Sequence, residues 1–352
     1  MRTVHAVLPD GIDDPARPSG RNVYDRHVCS GLAALGWSVR EHAVHGFWDR
    51  PGATGFAALT RVIDAIPNGA VVLLDGLIAS TAPEVLVPQA SRLRLVVLVH
   101  MPLGDRPRDD DARPRENAVL STAAAVVTTS AWARDRLLEL YALAPDRVRL
   151  AHPGVDAAQP AFGTATGGAL LCVAAVTVDK GHDLLLDALT TISDLTWSCV
   201  CVGRLDRDPA FVDALRRRAQ DNGLGVRVKF DGPLSGTELD RSYAAADVMV
   251  LASRAETYGM VVIEALARGL PVIAADVGGL TEALGHGAAG SRPGLLVAPD
   301  DAAALGAALR AWLGDATLRL RLRQAALERR ESLPDWSSTA SGLAAVLTEA
   351  SR

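Results

Sequence analysis

The sequence predicts an α/β protein of two domains, each a Rossmann-like parallel sheet covered by helices. Three observations carry this. The chain has 352 residues, 49% hydrophobic and 22% charged, which is ordinary for a globular protein and enough for two cores. Short β-branched apolar runs recur along it, each followed by polar or Gly/Pro-rich sequence, the signature of strands buried on both faces of a parallel sheet. A small-residue, Pro/Gly-rich stretch from Ala157 to Gly168 divides these runs into two sets, so a boundary is placed near residue 160. No internal repeat is visible.

In the first half, Thr3 to Leu8 reads as a strand and Pro9 to Arg21 as the loop at its carboxyl end. A helix from about Asn22 to Leu35, stopped by Gly36, and a strand from Ser38 to Ala43 complete a βαβ unit. Val71 to Leu74, Leu95 to Val99 and Val126 to Thr129 are further buried strands. His100, in His-Met-Pro-Leu-Gly104, therefore stands at a carboxyl edge, where open α/β sheets bind their ligands. Asp105 to Glu116 alternates in charge and is expected to be a solvated, mobile loop. Val148 to Ala151 is a last strand before His152-Pro-Gly-Val-Asp156.

The second half opens with a strand from Ala169 to Val176. Thr177-Val-Asp-Lys180-Gly181-His182 and a helix from Asp183 to Leu189 follow, so Lys180 sits at a helix start. The strand Cys199 to Gly203 ends at Arg204, and Asp206-Arg-Asp208 comes next. Asp-x-Asp can hold a divalent ion against a diphosphate, but so short a pattern equally describes a solvated loop, and no metal is assigned. Val226 to Phe230 leads into Asp231-Gly-Pro-Leu234 and a helix from Thr237 to Ala245. Asp247 to Leu251 is a strand, Ala252 begins a polar loop, a helix starts near Tyr258 and Gly259, Gly269 stops it, and Pro271 to Ala274 is the next strand. After Gly294 to Asp300 come helices over Asp301 to Leu313 and Thr317 to Arg330, the second with a basic side in Leu318-Arg-Leu-Arg-Leu-Arg323. That side is a solvated face or a contact for a membrane or an acidic partner. A final helix follows Trp336 and runs to Ala350.

The loop from Ala252 carries the chemistry. Amides of Thr257, Gly259, Met260 and Val261 would be the unpaired donors of the first helical turn, which with the helix dipole favour a diphosphate. Glu256 lies ahead of the helix and Glu264 inside it, about 7 Å further along the axis at 1.5 Å per residue. Two carboxylates so spaced address different parts of one ligand, such as a hexose and a ribose. A helix-capping Glu256 and a solvated Glu264 are the alternative.

Composition excludes other classes. A net charge of -5 argues against a nucleic-acid partner. The four cysteines, Cys29, Cys172, Cys199 and Cys201, include no CxxC pair, no histidine is spaced to complete a zinc site, and all read as reduced core residues. No run reaches the roughly 20 apolar residues of a membrane span, and the amino terminus lacks the regions of a signal peptide, so a cytoplasmic protein is expected.

The stretch Ala252 to Gly279, with Glu256 and Glu264, Gly259, the run Glu264 to Val272 and Gly278-Gly279, resembles the donor-binding signature of the family 4 glycosyltransferases, retaining enzymes of the GT-B fold. The resemblance implies two Rossmann-like domains whose parallel sheets face each other across a cleft. Residues 1–160 with a returning helix 337–352 form the acceptor side, and 161–336 bind the nucleotide sugar. It further implies that Lys180, Glu256 and His100 serve catalysis, Lys180 against the diphosphate and the other two on the transferred sugar. Gly20, Arg204, Leu234, Thr257 to Val261 and Glu264 hold the donor, Leu234 beside the base. The family's arginine ahead of the lysine is replaced by Ala174 and Ala175, and Arg204, at the end of the next strand, is the candidate substitute cation if its guanidinium reaches across the neighbouring loop. Ser19-Gly20 keeps one glycine of the family's usual pair. The implied activity is metal-independent transfer from a nucleoside-diphosphate sugar, UDP or GDP, to the hydroxyl of a glycan, lipid or small natural product, with no cofactor and with peripheral membrane contact open. A GT-B epimerase or phosphorylase and a non-catalytic nucleotide-sugar binder are the competing readings.

Overall fold

The computed structural model describes residues 2–14, 18–105 and 109–352. These form two compact units: described residues up to Asp14, those between Ser19 and Gly154, and Pro334–Arg352 make up unit 1, and Val155–Leu333 the body of unit 2. The main crossing thus falls at Gly154/Val155, a few residues before the expected 160.

Unit 1 contains β1 (Thr3–Pro9), α1 (Gly20–Ala34), β2 (Ser38–Val44), α2 (Ala53–Asp64), β3 (Val71–Asp75), α3 (Gly76–Thr81) and α4 (Pro83–Leu86). It continues with β4 (Arg94–Val99), α5 (Ala112–Thr122), β5 (Ala125–Thr128), α6 (Ala131–Leu140) and β6 (Val148–Leu150). All strand pairs are parallel, in the order β2-β1-β3-β4-β5-β6. Every residue of β3 and β5 is buried, which is why those runs are continuously apolar rather than alternating. The loop after β1 lies partly outside the described residues, as do residues 106–108 of the charged stretch after β4.

The remainder of that charged stretch corrects the sequence reading. It is not all solvated loop: α5 starts at Ala112 and Glu116 is fully buried. The reason is hydrogen bonding. Glu116 accepts from Ser80 Oγ at 3.0 Å, the Leu103 and Gly104 amides at 3.0 and 2.9 Å, and Tyr141 Oη at 2.6 Å, which compensates the burial of a carboxylate and clamps the turn after His100.

Unit 2 contains β7 (Ala169–Val173), α7 (His182–Thr190), β8 (Ser198–Val202), α8 (Pro209–Asp221), β9 (Val228–Gly232), α9 (Gly236–Ala244) and β10 (Val248–Leu251). Then come α10 (Met260–Ala267), β11 (Val272–Ala275), α11 (Leu280–Leu284), β12 (Gly294–Val297), α12 (Ala302–Gly314) and α13 (Ala316–Arg330). Its parallel sheet runs β12-β11-β10-β7-β8-β9. The sheet therefore reverses direction between β7 and β10, and the loops leaving those neighbours diverge around a crevice. Two arginines of the basic helix α13 turn inward: Arg319 donates to the Trp312 and Leu313 carbonyls and Arg323 to buried Asp247.

The last helix, α14 (Trp336–Ala350), belongs to unit 1 and packs on α1. Trp336 stacks on His27 with ring centroids 4.2 Å apart, and Gly31 makes room for Ala340, whose Cβ would be 2.5 Å from a side chain there.

Candidate functional site

At the switch point of unit 2 the structure brings Lys180 and Glu256 together. Lys180 ends a single 3-10 turn after β7, and Glu256 lies in the loop after β10. Lys180 Nζ donates to Glu256 Oε1 at 2.7 Å, and Ser253 Oγ donates to the same oxygen at 3.1 Å. Both side chains still reach solvent, 23% and 13% exposed. Burial pulls the Lys180 ammonium down, but the Glu256 charge and hydrogen bond outweigh it, so its pKa is raised and the amine is charged at neutral pH.

Glycines make this packing possible. Gly181, at φ +66°, passes the end of β10 so closely that a Cβ there would lie 1.9 Å from the Ala252 carbonyl oxygen. Gly278, at φ +55°, holds the loop after β11 against the Glu256 backbone, where a Cβ would stand 1.7 Å from the carbonyl oxygen. Three loops leaving β7, β10 and β11 are thereby pressed backbone to backbone.

The helix start is as the sequence suggests. Gly259, at φ +96°, is the N-cap of α10 and no side chain caps the first turn, so the Met260 and Val261 amides keep the orientation of anion donors. Tyr258 differs: its ring is 4% exposed inside the apolar core, so only its backbone faces this loop chemistry. Glu264 is partly buried on α10. Burial raises its pKa, while Tyr243 Oη, donating at 2.7 Å, and Arg268 hold it back toward the ionised form. Leu234, in the loop after β9, is partly buried against the core.

Arg204 stands at the end of β8, where its carbonyl accepts from the Val176 amide at 2.8 Å, beside the turn that leads to Lys180. Its guanidinium is held by Asp206 in a two-point pair of 2.9 and 2.8 Å. Asp208 accepts from the Phe211 amide at 3.1 Å as the N-cap of α8. Both acids of the Asp-x-Asp pattern thus have structural partners.

Arg254, which the sequence marks only as part of the turn after β10, has a larger part. Its guanidinium binds Asp183 through two bonds of 2.9 and 2.8 Å, Asp300 at 2.7 Å and the Val178 carbonyl at 2.6 Å, tying the Lys180 turn to the loops after β10 and β12. Burial raises Asp183, yet the paired guanidinium and the amides opening α7 prevail and hold its carboxyl below 3.8.

In unit 1, His100 sits at the carboxyl edge after β4 with its side chain 15% exposed. Its Nε2 is 2.8 Å from Oδ1 of Asp25, a fully buried residue of α1, and Tyr24 packs edge-on at 5.2 Å. Burial pushes the Asp25 carboxyl above its usual range against the pull of His100. Asp75 at the end of β3 is also buried; Arg21 stands 3.6 Å from its Oδ2, and its Oδ1 accepts from the Leu77 and Ile78 amides. Gly20 is the first residue of α1, after Ser19, whose Oγ caps the Asn22 amide at 3.2 Å. Sequence spacing gave no sign of Asp25 or Asp75. A lone acid beside an aromatic in an amphipathic helix reads as surface, and the His100 partner lies 75 residues away.

Residues 22–159 match the profile described as Glycosyltransferase Family 4, and residues 164–329 that of Glycosyl transferases group 1. The chain belongs to the family 4 glycosyltransferases, with the GT-B fold. It is 35% identical over 256 residues to D-inositol 3-phosphate glycosyltransferase 1 of Catenulispora acidiphila, covering 67% of this chain and 59% of that protein. It is 34% identical to the D-inositol 3-phosphate glycosyltransferase of Frankia alni, over 68% of this chain and 62% of the relative. The chain thus spans about three fifths of these relatives. Among solved structures, sucrose-phosphate synthase from Thermosynechococcus elongatus superposes with a TM-score of 0.80 at 24% identity, covering 98% of each chain. Anabaena HepE in complex with UDP-glucose gives 0.78 at 17%, covering 99% of this chain and 100% of the other. At these identities the superpositions speak to fold.

Proposed function

We propose that the chain transfers a sugar from a nucleoside-diphosphate sugar to an acceptor hydroxyl with retention of anomeric configuration, using no metal and no protein nucleophile in the transfer step. The observation that carries this is the Lys180–Glu256 pair at the switch point of unit 2, beside the uncapped start of α10. A diphosphate arriving there competes with Glu256 for the ammonium. Once Lys180 turns to the phosphate, Glu256 keeps Ser253 on Oε1, and its carboxylate, no longer paired with the ammonium, accepts from sugar hydroxyls. Charge developing on the departing diphosphate is met by Lys180, the amides of Met260 and Val261, and Arg204 released from Asp206. An oxygen of that diphosphate then takes the proton of the acceptor hydroxyl on the same face. Glu264 binds the ribose and Leu234 borders a uracil or guanine base.

The donor is the only nucleotide required and no cofactor enters. Among glycan, lipid and small natural-product acceptors, D-inositol 3-phosphate is the first to assay, because it stands in the names of the relatives. No helix among the described residues is long and apolar enough to cross a membrane, and we place the protein in the cytoplasm, with any membrane contact peripheral. The test is a thermal-shift screen of uridine, guanosine and adenosine diphosphates with their sugars, followed by turnover with the stabilising donor. One nucleotide class should raise the melting temperature by mass action. Protection by none, with no donor consumed, contradicts the proposal.

A further inference from the structure

Beneath the Lys180 turn, three metal-ligating side chains from three elements converge in the core of unit 2. Cys172 lies on β7, Cys201 is its register partner on β8, and His182 is the first residue of α7. Each is about 1% exposed. Cys172 Sγ and His182 Nε2 are 3.7 Å apart, and all three ligand atoms lie within 4.8 Å of one another.

We propose that this cluster is a structural site for a thiophilic divalent cation, zinc by the chemistry of its ligands. Zinc held by sulfur at about 2.3 Å and by nitrogen at about 2.0 Å sets tetrahedral ligand separations of about 3.5–3.8 Å. The Cys172–His182 separation already has that length, and the other two edges need to close by about 1.3 Å at most. Charge also closes. A dication, two thiolates and a neutral imidazole sum to zero, so no net charge is buried among the surrounding Leu, Ile and Val side chains. Cys199 lies on the same face of β8, its thiol in hydrogen-bond contact with that of Cys201, and stands outside the three-ligand set.

His182 turns Nε2 toward Cys172 Sγ, while its Nδ1 is buried without a hydrogen-bond partner among the described residues. Linear spacing hides the set, because parallel register and a helix start bring it together. Bound there, the ion fastens β7 and β8 to the segment that carries Lys180, two residues ahead of His182, and takes no part in the transfer.

The test uses the full chain purified without a metal-binding tag, equilibrated with zinc and then dialysed. Mass spectrometry of bound metal should give about one zinc per chain, and the cobalt-substituted protein should show a near-ultraviolet thiolate-to-cobalt charge-transfer band. Both should fall to under about a tenth in Cys172→Ser and Cys201→Ser, while Cys29→Ser, altered in unit 1, stays at the wild-type level. Folded wild-type protein without zinc or cobalt band overturns the proposal, and so does a Cys172–Cys201 disulfide, seen as two fewer free thiols in denaturant. If a serine variant fails to fold, the wild-type stoichiometry and cobalt band decide. Transferase activity enters none of these readouts, so the result stands or falls apart from the proposed function.

Discussion

The two units place charge at the carboxyl edge of their sheets in opposite ways. Unit 2 sets Lys180 against Glu256 within reach of solvent, on loops that only glycine allows to approach so closely. Unit 1 sets His100 against a carboxylate with no exposure at all, with a second buried carboxylate, Asp75, beyond it. An ion pair open to solvent can exchange partners when a ligand arrives. A buried hydrogen-bonded pair is costly to open and so holds its members in place. The contrast teaches which edge is arranged to bind and release charge and which to fix the orientation of a single imidazole.

Breaking the buried pair should have the larger effect on stability. His100→Ala leaves Asp25 without its partner and is expected to cost about 3–5 kcal/mol in urea unfolding. Lys180→Ala, whose partner is partly solvated, should cost under about 1 kcal/mol. Equal losses would erase the distinction between the units.

Next in size are the glycines. Gly278→Ala should destabilise by about 2–4 kcal/mol, since it combines a left-handed backbone with a carbonyl in the way. Gly11→Ala, also at positive φ but with nothing within 4 Å, should cost only about 1 kcal/mol. A smaller effect is set by pH. The Asp183 carboxyl is depressed in the folded state, so the stability it contributes is present above 3.8 and lost as pH falls through its lower folded value. Arg254→Ala should flatten that acid limb in thermal melts across this range. Smallest is Arg204→Ala, expected to weaken donor binding by about 3–10-fold, a loss limited by the Asp206 pair that must first open. Unchanged affinity would remove Arg204 from the donor site.

Much of unit 2 was legible because its signals are local. Lys180-Gly181, the Glu256 loop with Gly259, and Gly278-Gly279 each place chemistry and backbone freedom within a few residues. The structure then supplies a steric reason for the glycines at 181 and 278. Unit 1 was legible in its strands but not in its polar interior. Asp25, Asp75 and Glu116 are charged residues whose burial depends on partners far along the chain. Glu116 even ends a stretch whose composition reads as solvated, and four hydrogen bonds reverse that reading. Arg254 escaped for the same reason, since its partners Asp183 and Asp300 come from loops that meet only once the sheet has formed.

The central claim is that Glu256, freed from Lys180 by an incoming diphosphate, orients the transferred sugar. Donor turnover by Glu256→Gln, measured beside donor binding by thermal shift, addresses it directly. The account predicts turnover reduced by about 100–1,000-fold with the nucleoside diphosphate still binding. A Glu256→Gln protein that consumes donor at the wild-type rate would contradict it.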